Sequence, residues 1–205
     1  MNTMTVAAFL AVDLLLVFTP GADWAYAITA GLRDRSVVPA VAGLIAGYAG
    51  YTVLAVAGLV VIVANSATVL TALTVAGAAY LMWLGWGVLS RPAVLGASTE
   101  AMPSSRRQIM LKGAGISGLN PKALLLYFSL FPQFIDPGAG WPVAAQTGLL
   151  GTLHMTACAV VYVSVGVLAR TVLRTRPSAA RAVTRASGAM MIVIGGFLLV
   201  ERLAG

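Results

Sequence analysis

Thr19-Pro20-Gly21-Ala22-Asp23, near the start of the chain, and Gly118-Leu119-Asn120-Pro121-Lys122-Ala123, in its second half, decide how this sequence is read. Each places a helix-breaking proline, flanked by polar residues, deep inside a hydrophobic segment. Unsatisfied backbone groups are costly in a bilayer, so such breaks persist only where the freed groups line a cavity or face protein. Two breaks at corresponding points of two halves are the pattern of a transporter's substrate site.

The surrounding composition makes the chain an integral membrane protein of the all-α class. It is 60% hydrophobic and only 9% charged, with a mean hydropathy of +0.93, too little polar surface to cover a soluble globule of this size. Apolar stretches of about 20 residues, the length that crosses a hydrocarbon core, fall near 5–29, 38–63, 68–90, 113–135, 142–169 and 184–203. Six transmembrane helices in a single domain over 1–205 are expected, with helices one and four broken at the prolines. The first apolar run has no Lys or Arg before it and exceeds signal-peptide length, so it reads as a retained helix.

The formal charge of +7 sorts by loop rather than forming a nucleic-acid surface. Arg33 and Arg35 follow helix one; Arg91, Arg106, Arg107 and Lys112 surround the connection after helix three; Arg170, Arg174, Arg176, Arg181 and Arg185 fill the loop after helix five. Only Arg202 lies on the opposite side, so the positive-inside rule puts those loops in the cytoplasm and both termini outside. Cys158 is the single cysteine, which excludes an internal disulfide and a Cys-x-x-Cys redox function.

The halves also align with each other. Pro20 falls on Pro121 at an offset of 101, Gly43-Leu44 on Gly148-Leu149 at 105, and Gly77-Ala78 on Gly188-Ala189 at 111. The offset grows only across loops, as insertions between duplicated units would produce. Chance matches among abundant Gly and Ala are the alternative, but three registers occur in the right order. An inverted three-plus-three repeat is expected, with repeat one about 5–91 and repeat two about 106–202.

The breaks suggest a chemistry. Proline has no N–H, so Pro20 leaves the carbonyl of Leu16 without its usual partner, available to a cation. Free amides after a break carry the positive end of a helix dipole, suited to a carboxylate, and Lys122 adds a full charge there. Asp23 supplies the opposite sign, so the two breaks together complement an amino-acid zwitterion. Thr19, Pro20, Gly21, Asp23, Asn120, Pro121 and Lys122 are the candidate substrate-binding residues, with Thr19 and Asn120 as caps of the half-helices. A structural Lys122–Asp23 ion pair, or Lys122 snorkelling to the membrane edge, is the competing reading. Intramembrane charges cost about 2.5–3.5 kcal/mol by insertion measurements, which favours a functional role.

Asp13 lies near the middle of helix one, where burial disfavours the charged carboxylate, and is a proton-coupling candidate beside Asp23 and His154. Asp13 as a neutral hydrogen-bonding acid and His154 as a satisfied core histidine remain open. Gly43-x-x-x-Gly47 permits close helix approach, usually inside one chain and sometimes at a homodimer seam. Tyr48, Tyr51, Tyr127 and Tyr162 are compatible with cavity lining and with packing alike.

At these residues the chain resembles the LysE/RhtB family of amino-acid exporters. The resemblance runs over almost the full length, through Thr19-Pro20-Gly21-Ala22-Asp23, the Gly-rich second helix, Ala76-Gly77-Ala78-Ala79-Tyr80-Leu81-Met82-Trp83-Leu84-Gly85-Trp86 and Gly118-Leu119-Asn120-Pro121-Lys122-Ala123. It implies a multi-pass protein of the bacterial inner membrane that exports amino acids or related metabolites from the cytoplasm, driven by the proton motive force. The chain departs from the family's Pro-Gly-Pro by Ala22 at the third position, and carries Asp13 where the family is usually apolar.

The expected function is secondary active export of a small amino acid or amino-acid derivative by alternating access, with amino acid, protons and lipid as partners. A metal or inorganic-ion exporter is the alternative within transport, but Asp13, Asp23 and His154 are few ligands and no thiol pair supplements them. A structural membrane subunit is the alternative outside it. No nucleophile-and-base or metal motif with recognisable spacing marks an enzyme or a cofactor.

Overall fold

A computed structural model of the chain describes residues 1–32, 37–90 and 105–169, with scattered positions between 182 and 200. Seven α-helices order the continuous part: α1 (Thr3–Val17), α2 (Ala22–Leu32), α3 (Val37–Asn65), α4 (Ala67–Ser90), α5 (Arg106–Gly118), α6 (Pro121–Leu125) and α7 (Val143–Leu168). α6 widens into a π-helical turn over Leu126–Leu130 and then tightens into a 3-10 turn over Phe131–Phe134. No strand occurs among the described residues. The described residues are thus all-helical outside turns and loops, consistent with the all-α class expected.

The prolines act where expected. α1 and α2 are the halves of the first apolar segment, bent by 60° at the break. α5 and α6 are the halves of the fourth, separated at Leu119 and Asn120. Asn2 opens α1 by accepting from the Thr5 amide at 2.8 Å, and Ser105 opens α5 by accepting from the Gln108 amide at 3.2 Å.

Among the described residues, Val37–Gly58 and Val143–Leu168 are each long and apolar enough to cross a membrane, and the bent α1–α2 pair is a third span if counted as one. The fourth segment is cut into pieces too short to count separately. The sixth is described only at scattered, helical positions, and Arg33, Arg35, Arg91, Arg170, Arg174, Arg176, Arg181 and Arg202 lie outside the described residues.

Burial runs opposite to that of a soluble protein. Val53, Leu54, Trp83, Trp86, Val160 and Val167 are exposed, whereas Asp13, Asp23, Lys122, Gln146 and His154 are buried. Apolar atoms on the outside and charge within fit a hydrocarbon surround. Gln146 ties down the loop before α7, donating to the carbonyls of Asp136 at 2.8 Å and Trp141 at 2.9 Å.

Small residues set the helix spacing. α3 lies against α5 and α7, and α2 lies against α7. A methyl group added at Gly43 would strike the backbone of Met110 on α5, and one at Gly113 would approach the backbone of Ala40 and Leu44. A side chain at Gly31 would collide with the Gly166 carbonyl on α7. The Gly43-x-x-x-Gly47 pair is therefore spent on the α3–α5 contact inside one chain and is not an outward-facing seam.

Gly43→Val should overpack this contact by about 3 kcal/mol and lower the yield of monodisperse protein in detergent, as measured by size-exclusion chromatography. Gly50→Val, at a position with nothing within 4 Å, should leave it unchanged.

Candidate functional site

The two breaks satisfy their backbones in the same way, residue for residue at the offset of 101. Phe18 donates its amide to the Leu14 carbonyl at 2.8 Å, and Leu119 donates to Gly115 at 2.9 Å. Thr19 donates to Leu16 at 3.1 Å, and Asn120 donates to Ser117 at 3.1 Å. The next carbonyl in each half is taken by an aromatic side chain. Trp24 Nε1 donates to Val17 at 2.9 Å, and the Tyr51 hydroxyl donates to Gly118 at 2.9 Å. Helix ends in apolar surroundings need such partners.

The Leu16 carbonyl, which Pro20 cannot reach, finds the cation expected for it. Lys122 Nζ donates to Leu16 O and to Thr19 O, each at 3.2 Å. Its side chain is buried against the first break instead of rising to the membrane edge. Lys122 and Asp23 form no direct ion pair among the described residues. Main-chain oxygens compensate the ammonium where a salt bridge was one of the expected readings.

Asp23, also buried, faces the second break. Its Oδ2 accepts from Asn120 Nδ2 at 2.6 Å and from the Tyr48 hydroxyl at 3.1 Å, and Tyr48 meets the Tyr162 hydroxyl at 3.2 Å. Asp23 Oδ1 is buried without a hydrogen-bond partner. Asn120 joins the halves with both ends of its amide, since its Oδ1 also accepts from the Lys122 backbone N–H at 3.0 Å.

Two expectations change here. Thr19 does not cap α2; its Oγ1 donates backward to the Leu15 carbonyl at 2.9 Å, so it closes α1. The hydroxyl finds the orphan carbonyls of α1 within reach before any amide of α2. The half-helix after Pro121 is also a weaker anion site than expected. Only five residues are α-helical before the π turn, and the cap Asn120 already occupies the Lys122 amide. A carboxylate would depend on the Lys122 side chain.

Asp13 and His154, weighed separately in the sequence, are partners. His154 Nδ1 lies 2.7 Å from Asp13 Oδ1, both groups are buried, and Asp13 Oδ2 has no hydrogen-bond partner. Cys158 Sγ sits 3.5 Å from His154 Nε2. His154, Cys158 and Tyr162 recur every fourth residue on one face of α7, leading from the Asp13 pair to the Tyr48–Tyr162 pair. The Tyr48 and His154 rings meet edge to face with centroids 4.7 Å apart. Of these residues, the sequence marked Tyr48 and Tyr162 only as compatible with lining or packing and Cys158 only as the single cysteine, and gave Trp24 no role. The α7 spacing was the one signal that could have grouped three of its members.

A cavity of about 10 Å³ joins the clusters, lined by Leu16, Val17, Tyr48, Lys122, Ala123, Leu126, His154 and Tyr162. It has room for about one water molecule, so the protein is closed here. Its walls combine an ammonium, two phenols and an imidazole with aliphatic surface, and can recognise a small polar solute. Among the described residues no group of three or more His, Cys, Asp or Glu is placed to hold a metal ion.

The family model for the LysE type translocator matches residues 14–202, which includes both breaks, Asp23, Lys122 and His154, and begins one residue after Asp13. The chain belongs to this family. It is 29% identical over 199 residues to the homoserine/homoserine lactone efflux protein of Salmonella typhimurium, covering 95% of this chain and 96% of that one. A membrane protein of Vibrio cholerae is 35% identical over 157 residues, 75% of each chain. The leucine efflux protein of Klebsiella pneumoniae is 30% identical over 147 residues, 69% of this chain and 68% of its own. No solved structure matches. The translocator is thus a bacterial-type membrane transporter, and its apolar exterior agrees with that setting.

His154→Leu should leave Asp13 buried without its partner and destabilise the protein by about 3 kcal/mol. The double variant Asp13→Leu with His154→Leu should recover part of that loss. Thermal unfolding of the four proteins in detergent, treated as a double-mutant cycle, measures the coupling.

Proposed function

We propose that this translocator is a secondary active exporter of a small amino acid or amino-acid derivative, moving it out of the bacterial cytoplasm by alternating access in exchange for protons. The observation that carries the reading is the buried site at the two breaks, where Lys122 and Asp23 present opposite charges that do not neutralise each other directly. A zwitterion completes both. Its ammonium suits Asp23 and the carbonyls of the first break, and its carboxylate suits Lys122. Leu16, Val17, Ala123 and Leu126 offer an aliphatic wall to a short, uncharged side chain. The efflux of homoserine and leucine, named for two relatives, is of this chemical type.

Six spans arranged as an inverted three-plus-three repeat, with both termini outside, form the frame of this proposal. The matched hydrogen-bond patterns around Pro20 and Pro121 support a repeat. Met1, Asn2 and Thr5 share one pocket with Phe134, Asp136 and Ala139, so the N-terminus and the loop after the fourth segment lie at the same end, as that topology requires. Thr19, Pro20, Gly21, Asn120 and Pro121 shape the site through backbone and caps. Alternating access would move the repeats against each other about the breaks.

Asp13 with His154 is the proposed proton carrier. A carboxylate beside a neutral imidazole takes up one proton to become neutral as a pair, and releasing it restores one negative charge. Cys158 and Tyr162 lie between this pair and Asp23, so the state of one cluster can be felt at the other.

Efflux of a labelled amino-acid mixture from preloaded proteoliposomes tests the reading. An inward proton gradient should accelerate loss of particular small neutral amino acids from wild type at least tenfold over Lys122→Ala at equal protein content. Asp13→Asn should retain exchange but lose its response to the gradient. Equal, unselective loss from wild type and Lys122→Ala would remove the exporter reading, and an unchanged gradient response in Asp13→Asn would remove the proton role.

A further inference from the structure

The end of the Lys122 side chain sits where a free ammonium would bind. Pro20 withholds an N–H from the Leu16 carbonyl, and the bend turns the Thr19 carbonyl to the same point. Lys122 Nζ donates to both at 3.2 Å, using two of the three donors of a primary ammonium. On the other side of Asn120 the buried Asp23 keeps one oxygen without a partner. The cavity beside Lys122 is too small for an amino acid, so a substrate has to move something before it can bind.

We infer that the Leu16 and Thr19 carbonyls are the receptor for the substrate's ammonium, and that Lys122 is a tethered surrogate occupying it while the site is closed. The inference rests on the exporter reading and adds how the substrate enters. The incoming ammonium takes over the two carbonyls. Lys122, released, turns to the carboxylate of the same molecule. No covalent bond changes, and a zwitterion adds no net charge to the site.

This swap is also a selectivity device. A simple amine can displace Lys122 but brings no carboxylate, and leaves a second cation uncompensated where charge is expensive. A simple carboxylate finds Lys122 already held by main-chain oxygens. A molecule carrying both groups a few ångströms apart, an α-amino acid or a close derivative, completes the exchange. Main-chain carbonyls do not inspect the rest of the molecule, so discrimination among amino acids falls to the aliphatic wall.

The test removes the surrogate and supplies a free one. Purified full-length wild type, Lys122→Ala and Lys122→Met are titrated with methylammonium, and with tetramethylammonium, which has no N–H, while thermal unfolding is followed. Methylammonium should stabilise Lys122→Ala with an apparent Kd at least tenfold below that for wild type. It should not stabilise Lys122→Met, whose side chain refills the space without a charge, and tetramethylammonium should stabilise none of the three. If Lys122→Ala is recovered poorly, methylammonium during purification should restore the folded fraction and tetramethylammonium should not. Equal responses to both ions, or to methylammonium in Lys122→Ala and wild type, would overturn the inference. Amine binding does not require transport, so efflux without amine binding refutes the swap alone, and amine binding without efflux refutes the exporter reading alone.

Discussion

The constraint on which the site depends is that a backbone interrupted inside an apolar segment must have its carbonyls and amides met by the protein itself. Pro20 and Pro121 each withhold one N–H, and the sequence answers with a small set of donors. Thr19 and Asn120 amides, the Trp24 indole, the Tyr51 hydroxyl and the Lys122 ammonium all bond to carbonyls at the two breaks. Lys122 and Asn120 reach from the second break to the first, one to its carbonyls and the other to Asp23. The halves are cross-linked by groups whose first duty is to satisfy a broken helix.

The close packing around this point follows from glycine. Gly43 and Gly113 let α3 and α5 approach to backbone contact, and Gly31 and Gly166 do the same for α2 and α7. Tyr48 and Tyr51 on α3 can then deliver hydroxyls to Asp23 and to Gly118, one from each half. A wider helix spacing would leave both hydroxyls short of their partners. The small residues of the sequence and the polar cluster are two sides of one arrangement.

Much of this was legible before any coordinates. A proline in an apolar run names its own orphan carbonyl four residues earlier, so Leu16 could be identified, and an intramembrane lysine needed a partner. Asp23, Asn120 and Lys122 stood out because charge and amide are rare in such segments. The Asp13–His154 contact was not legible, because the residues are 141 positions apart and nothing local in either helix points to the other. Tyr48 and Tyr162 could be named but given no role, since a membrane tyrosine is equally at home in packing. Thr19 misled because a threonine before a proline can bond in either direction, and the nearer orphan carbonyl prevailed. The six-span count also outran what the described residues display, since the fourth segment is broken and the sixth is described only at scattered positions.

Trp24 gives the first break a mechanical property. Its indole reaches back seven residues to the Val17 carbonyl, spanning the bend between α1 and α2. A change in the angle between the halves would stretch or release this bond, so the hinge and the indole cannot move independently. In Trp24 the translocator carries an intrinsic optical reporter of its own bending.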